Sequence, residues 1–150
     1  GYYIRARNLI ACARAVAAGG GDFPDSEVAL RALPGLGAYT AAAVAAIAFG
    51  RRAAVVDANV ERVVARLEAL EQPLPQARAR IREVVERITP EGRPGDFAQA
   101  MMDLGATVCT VRAPRCLLCP LAPACKGRIA GAERFPVKPA KKARLRVPRK

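Results

Sequence analysis

Nowhere in the 150 residues is there a run of 18 or more apolar side chains, and the first residues carry no signal-peptide pattern. The first absence excludes a membrane-spanning helix and the second leaves no argument for export, so a cytosolic setting is expected. No segment sustains the two-residue alternation of a half-buried strand, and no internal repeat is evident. That leaves an all-α body. Large apolar side chains are scarcer than the 52% hydrophobic content suggests, because much of that fraction is alanine and only 5% is aromatic. One modest core is the expectation, since alanine buries little area per residue.

Acids are also in short supply. Against 25 Lys and Arg stand 13 Asp and Glu, a formal charge of +12. Residues 134–150 contribute eight of the cations and no acid, which leaves 17 against 13 in residues 1–133. Such a chain is expected near a polyanion, most commonly nucleic acid, although a basic arm alone would suit an acidic membrane surface equally well. The chain begins with Gly1, not Met, and Gly1-Tyr2-Tyr3 runs straight into a helical pattern, which reads as a segment of a longer protein. Three parts are expected: a helical region over 1–108, a cysteine loop over 109–126, and a basic linker or tail over 127–150.

The helices announce themselves through periodicity and punctuation. Leu9, Cys12, Ala13 and Val16 recur at helical spacing until Gly19-Gly20-Gly21 stops them. Asp25-Ser26 can cap a short helix to about Ala32, and an alanine-rich helix then runs to Phe49 with Gly50 closing it. Asp57 is placed to cap the next helix, whose apolar face is Val60, Val63, Val64 and Leu67. Pro73 and Pro75 precede a charged helix over about Ala77–Ile88, and a last helix over about Asp96–Val108 leads into the cysteines.

Three constellations carry chemistry. Cys109, Cys116, Cys119 and Cys125 place four soft ligands within 17 positions, with Pro114, Pro120 and Pro123 shaping the turns. In a reducing compartment such a cluster points to metal rather than disulfides. Four thiolates suit zinc or an iron–sulfur cluster; only Cys116 and Cys119 form the C-x2-C pair that structural zinc sites usually double, which fits a cubane better. Cys12 stands apart on an apolar helix face and reads as core. Leu33-Pro34-Gly35-Leu36-Gly37 lies between two helices, where glycines let backbone N–H groups at a helix N-terminus face a phosphate; the same turn also serves as a plain tight connection. Asp57, in Val55-Val56-Asp57-Ala58-Asn59, is at once an N-cap and a carboxylate available for catalysis.

Together and in this order, these segments resemble the helix-hairpin-helix DNA glycosylases, over Gly1 to Lys126. Leu33 to Gly37 is similar to the family's hairpin, Asp57 to its catalytic aspartate, and the cysteine spacing to its [4Fe–4S] loop. Tyr39 occupies the position where endonuclease III-type members carry the lysine that forms a Schiff base and cuts the strand, which a phenol cannot do. Tyr39, the Gly1-Tyr2-Tyr3 segment with Arg5, Arg7, Asn8 and Leu9, and Gln99 to Gly105 resemble the adenine glycosylases instead.

What this resemblance implies is a monofunctional glycosylase excising adenine opposite 8-oxoguanine or guanine in duplex DNA, monomeric, in a bacterial cytosol at the nucleoid. Asp57 would stabilise the oxocarbenium-like sugar, with Asn59 and Tyr39 orienting it. Tyr2 would fill space beside the 8-oxoguanine, and Arg112 and Arg115, with Lys126 and Arg128, would meet phosphates. The family's proton-donating glutamate precedes the Gly-Tyr-Tyr segment, and none of the 13 acids here stands in that context. The chain by itself is therefore expected to be inactive or impaired, short of its N-terminal helices and of a C-terminal recognition domain, and to leave apolar surface bare. Ala58 replaces the family's usual glycine after the aspartate. Two other readings stand beside this one: an endonuclease III-like lyase, and a non-catalytic iron–sulfur or zinc module that only holds DNA.

Overall fold

The computed structural model describes residues 2–139. Gly1 and residues 140–150, with six of the expected tail's cations, lie outside the described residues. No helix among the described residues is long and apolar enough to cross a membrane. They form seven α-helices and three short 3-10 turns, with no strand: α1 (Tyr2–Ala18), α2 (Glu27–Arg31), α3 (Ala38–Phe49), α4 (Ala58–Leu67), α5 (Arg78–Ile88), α6 (Pro94–Thr107) and α7 (Lys126–Ala130).

The punctuation acts as its chemistry dictates. Ser26 caps α2 by accepting from the Ala29 N–H, and Gly50 ends α3 in the left-handed region at φ 61°. Asp57 caps α4 through a 2.7 Å bond from the Val60 N–H. Helix α6 begins at Pro94, two residues before the expected start, because proline's fixed φ suits the first helical position and its missing N–H is not needed there.

Two cores result. Around α4, Val60, Val63 and Val64 meet Ile81, Val84 and Val85 of α5, Met101 of α6, and Phe135. The second core joins α2, α3 and α6 through Leu30, Ala41, Ala42, Ala45, Ala46 and Ala98, with Val55 beside them. Its helices touch at backbone level: a Cβ on Gly95 would lie 2.6 Å from the Ala46 carbonyl oxygen. Helix α6 belongs to both cores and so fixes α3 relative to α4.

Two expectations change. Of the apolar face read in α1, Cys12 and Val16 are buried, whereas Leu9 is 72% exposed, as are Tyr2, Tyr3, Ile4 and Ile10 in large part. The expected loose segment from residue 127 is packed as far as 139. Helix α7 docks on α4, Phe135 is buried in the first core, and the Val137 carbonyl accepts from the Leu74 N–H at 3.2 Å. The segment is too poor in apolar residues to fold alone, but one aromatic finds a core already built, and burying it is worth about 2–3 kcal/mol.

Candidate functional site: an aspartate, a hairpin and a four-cysteine cavity

Gly35 and Gly37 shape the hairpin between α2 and α3 for different reasons. Gly35 has φ +78°, and a Cβ there would sit 2.6 Å from the Asn8 Cβ, so the turn lies directly against α1. Gly37 begins α3 without any side-chain cap, and Gly37, Ala38 and Tyr39 are exposed. The first N–H groups of α3 therefore face open solvent at the positive end of the helix dipole. Between α1 and this turn runs a cleft of about 540 Å³, lined by Tyr2, Arg5, Asn8, Pro34, Gly35 and Leu36 among others. Leu33 is half-buried beneath the hairpin and packs against the alanine core.

Asp57 is half-buried, and both its carboxylate oxygens are held. Oδ1 accepts from the Val60 N–H at 2.7 Å, and Oδ2 accepts from Asn59 Nδ2 at 3.0 Å. The order continues inward, for Asn59 Oδ1 accepts from Arg62 Nη2 at 2.9 Å. Arg62 also donates to the carbonyls of Gly105 at 2.6 Å and Cys109 at 2.8 Å. Gly105 is needed where it stands, because a Cβ there would come within 2.6 Å of the Asn59 Cβ. A hydrogen-bonded line thus runs from the carboxylate to the backbone of the first clustered cysteine. Tyr39 takes no part in it: its hydroxyl donates to Met102 Sδ at 3.6 Å. The structure brings Asn59, but not the Tyr39 hydroxyl, to Asp57.

All four clustered cysteines line one cavity, together with Arg66. Burial pushes the Cys119 thiol up, and the sulfurs of Cys109, Cys125 and Cys116 add to the shift, as expected of four thiols sharing one space. Four thiols around one cavity are a donor set that suits zinc or an iron–sulfur cluster. Cys109 follows α6, Cys116 opens a 3-10 turn, and Cys125 is the residue before α7. Lys126 ties that end down by bonding Glu68 at 2.8 Å; this bond, against some burial and with Arg87 and Arg80 assisting, holds the Glu68 carboxyl below the usual range.

Arg112 and Arg115 are both exposed, on the segment between Cys109 and Cys116, and neither has an ion-pair partner among the described residues. Arg112 borders a groove that also includes Glu61, Arg62 and Lys138. Sequence reasoning passed over Arg62 and Arg66. Their signal was present: Asn59, Arg62 and Arg66 recur at three and four residues along a helix whose other face is valine.

Over 84% of its length the chain is 44% identical to the adenine DNA glycosylase of Arabidopsis thaliana, of which it spans 20%. It is 42% identical over 87% of its length to that of Mycolicibacterium smegmatis, of which it spans 45%. The chain thus spans between a fifth and under a half of these curated relatives. Among solved structures it superposes on a thermostable thymine-DNA glycosylase with a TM-score of 0.76 and 37% identity, covering 84% of this chain and 59% of that one. An endonuclease III in a non-covalent complex with DNA matches with a TM-score of 0.70 and 30% identity, covering 86% and 60%. No family model matches.

Proposed function

The chain is a homologue of the adenine DNA glycosylases, and from that premise we propose that it supplies the aspartate and DNA-gripping parts of a monofunctional enzyme releasing adenine mispaired with 8-oxoguanine or guanine. One observation carries the reading. Asp57 is a carboxylate fixed by the Val60 N–H and by Asn59, at the N-terminus of α4, so that its oxygens are held in one orientation before any substrate arrives. Adenine must leave the stack for its glycosidic bond to be reached. As that bond breaks, positive charge develops on the sugar, and a preorganised carboxylate stabilises it without having to reorient. Both Asp57 oxygens are taken up by the Val60 N–H and Asn59, so the proton that adenine needs comes from another group.

The grip is read as two phosphate contacts and one wedge. The bare N-terminus of α3, behind Leu36 and Gly37, offers backbone N–H groups to one phosphate; Arg112 and Arg115 offer side-chain cations to another. Tyr2, exposed at the rim of the cleft beside Pro34 and Gly35, is placed to pack against a base. A [4Fe–4S] cluster held by Cys109, Cys116, Cys119 and Cys125 would fix the fold of the loop that carries these arginines. The lyase alternative loses support at position 39, where a phenol stands in place of an amine.

Single-turnover release of adenine from an A:8-oxoguanine duplex by the full-length protein tests this. Asp57→Asn is expected to slow release by about 10²–10³-fold, the range for removing one preorganised electrostatic contact. Its melting temperature should fall only a little, because asparagine keeps the bond from the Val60 N–H that caps the helix and loses only the one from Asn59. Undiminished release by the variant sinks the assignment of Asp57, and a borohydride-trapped covalent adduct restores the lyase reading.

A further inference from the structure

Arg66 is the one charged side chain among the described residues that is buried, with 2% of its surface exposed. Every bond it makes goes to a neutral acceptor or a thiol. Nε donates to the Phe135 carbonyl at 3.1 Å, and Nη2 donates to the Val111 carbonyl at 3.1 Å. Nη1 is shared among the carbonyls of Cys109 at 3.2 Å and Thr110 at 2.7 Å and the Cys109 Sγ at 3.3 Å. From the other side, the Cys125 thiol donates to the Arg66 carbonyl at 3.5 Å, and α7 presses so close that a Cβ on Gly127 would meet that same oxygen at 2.3 Å.

One residue therefore touches the first and last cysteines of the loop and the strap at 135–137. The neighbouring acids are engaged elsewhere: Glu61 pairs with Arg78, Glu133 accepts from the Ala113 N–H, and Glu68 pairs with Lys126 and Arg87. Carbonyl groups satisfy a guanidinium's N–H groups, but they do not cancel its charge, and an uncompensated buried cation is strongly disfavoured. None of these acids bonds Arg66, and the cavity that Arg66 lines with the four cysteines is a place for a compensating negative charge.

We propose that Arg66 is the positioning residue and counter-ion of the four-cysteine site, its guanidinium neutralising the anionic group held by the thiolates and coupling its presence to the seating of the 135–137 strap. The inference rests on the cluster assignment made above. A cationic N–H donor to a ligating sulfur favours the more reduced, more negative state of an iron–sulfur cluster and so raises its potential.

The test compares the full-length protein, purified anaerobically, with Arg66→Met and Arg66→Lys, recording iron and sulfide content, the visible spectrum, the reduction potential by film voltammetry and iron loss to a chelator. Arg66→Met is expected to lower the potential and to speed iron loss roughly tenfold or more. Arg66→Lys keeps the charge without the planar fork, and its potential should fall between the two. A loaded Arg66→Met protein with the wild-type potential and iron-loss rate overturns the proposal. Should neither variant load, the wild type decides: chelator extraction of its cluster should speed tryptic cleavage after Arg134, at the Arg134–Phe135 bond, several-fold, and unchanged cleavage overturns the coupling. A wild-type protein that purifies without iron and sulfide removes the cluster assignment itself, a result separate from failure at Arg66.

Discussion

Around α4 the interior is built from branched and aromatic side chains, Val60, Val64, Ile81, Val84 and Phe135, whereas α2, α3 and α6 meet through Ala41, Ala42, Ala45, Ala46 and Ala98. The two interiors serve different kinds of chemistry. Alanine and Gly95 let backbones approach within a few ångströms, which sets the bare N-terminus of α3 and its hairpin in a fixed frame whose useful atoms are main-chain N–H groups. Larger side chains around α4 leave room between helices for long polar residues, and there the useful atoms belong to Asp57, Asn59, Arg62 and Arg66. The alanine side also leaves more apolar surface uncovered nearby, at Tyr3, Ile4, Ile10, Val28 and Ile47.

If this contrast is right, the two cores should fail differently. The largest loss is expected at Phe135, whose ring is the buried side chain of the last packed segment: Phe135→Ala should cost about 3–5 kcal/mol in urea unfolding and leave residues 132–139 open to protease. Next come opposite substitutions in the two cores. Ile81→Ala should cost about 2–5 kcal/mol by opening a cavity in the α4 core, while Ala45→Val should cost about 1–3 kcal/mol by forcing α3 and α6 apart. Equal tolerance of Ala45→Val and a surface control would break the comparison.

The smallest effect concerns the tie between α7 and α4. Glu68 is held below its ordinary value chiefly by the bond from Lys126. A carboxylate depressed on folding contributes stability above its unfolded pKa and loses it as pH falls through the folded value. Below about pH 4.5, the ordinary glutamate value, the wild type should therefore lose a little more stability than Glu68→Gln. Because the pair is largely solvated, the difference should be about half a kcal/mol or less at neutral pH, and flattened by salt.

Much of the site was legible one residue at a time. Asp57 read as a cap and is one, Gly35 read as a backbone position and has positive φ, and the four cysteines read as one ligand set and line one cavity. Of the two residues that the resemblance set to orient or stabilise the aspartate and sugar, Asn59 bonds Asp57 whereas the Tyr39 hydroxyl bonds Met102, because a helix start fixes where a residue begins and not which neighbour its side chain meets. Arg62 and Arg66 went unread because an arginine in a helix ordinarily faces water, and only the loop from Cys109 to Val111, folded back over α4, turns Arg62 into a half-buried hub and Arg66 into a buried one.

The sequence by itself determined what depends on near neighbours: six of the seven helices, the caps at Ser26, Gly50 and Asp57, the hairpin, and the four thiols within one loop. Propensity, periodicity and cap chemistry act across a few residues and survive without the rest of the chain. Only the tertiary structure decided which carbonyls surround Arg66, which glycine leaves room for Asn59, and that Phe135 belongs to the core rather than to a tail. Those outcomes depend on contacts between residues 43 to 69 positions apart, and a burial or a pairing at that range exists only once both partners have been brought to the same place.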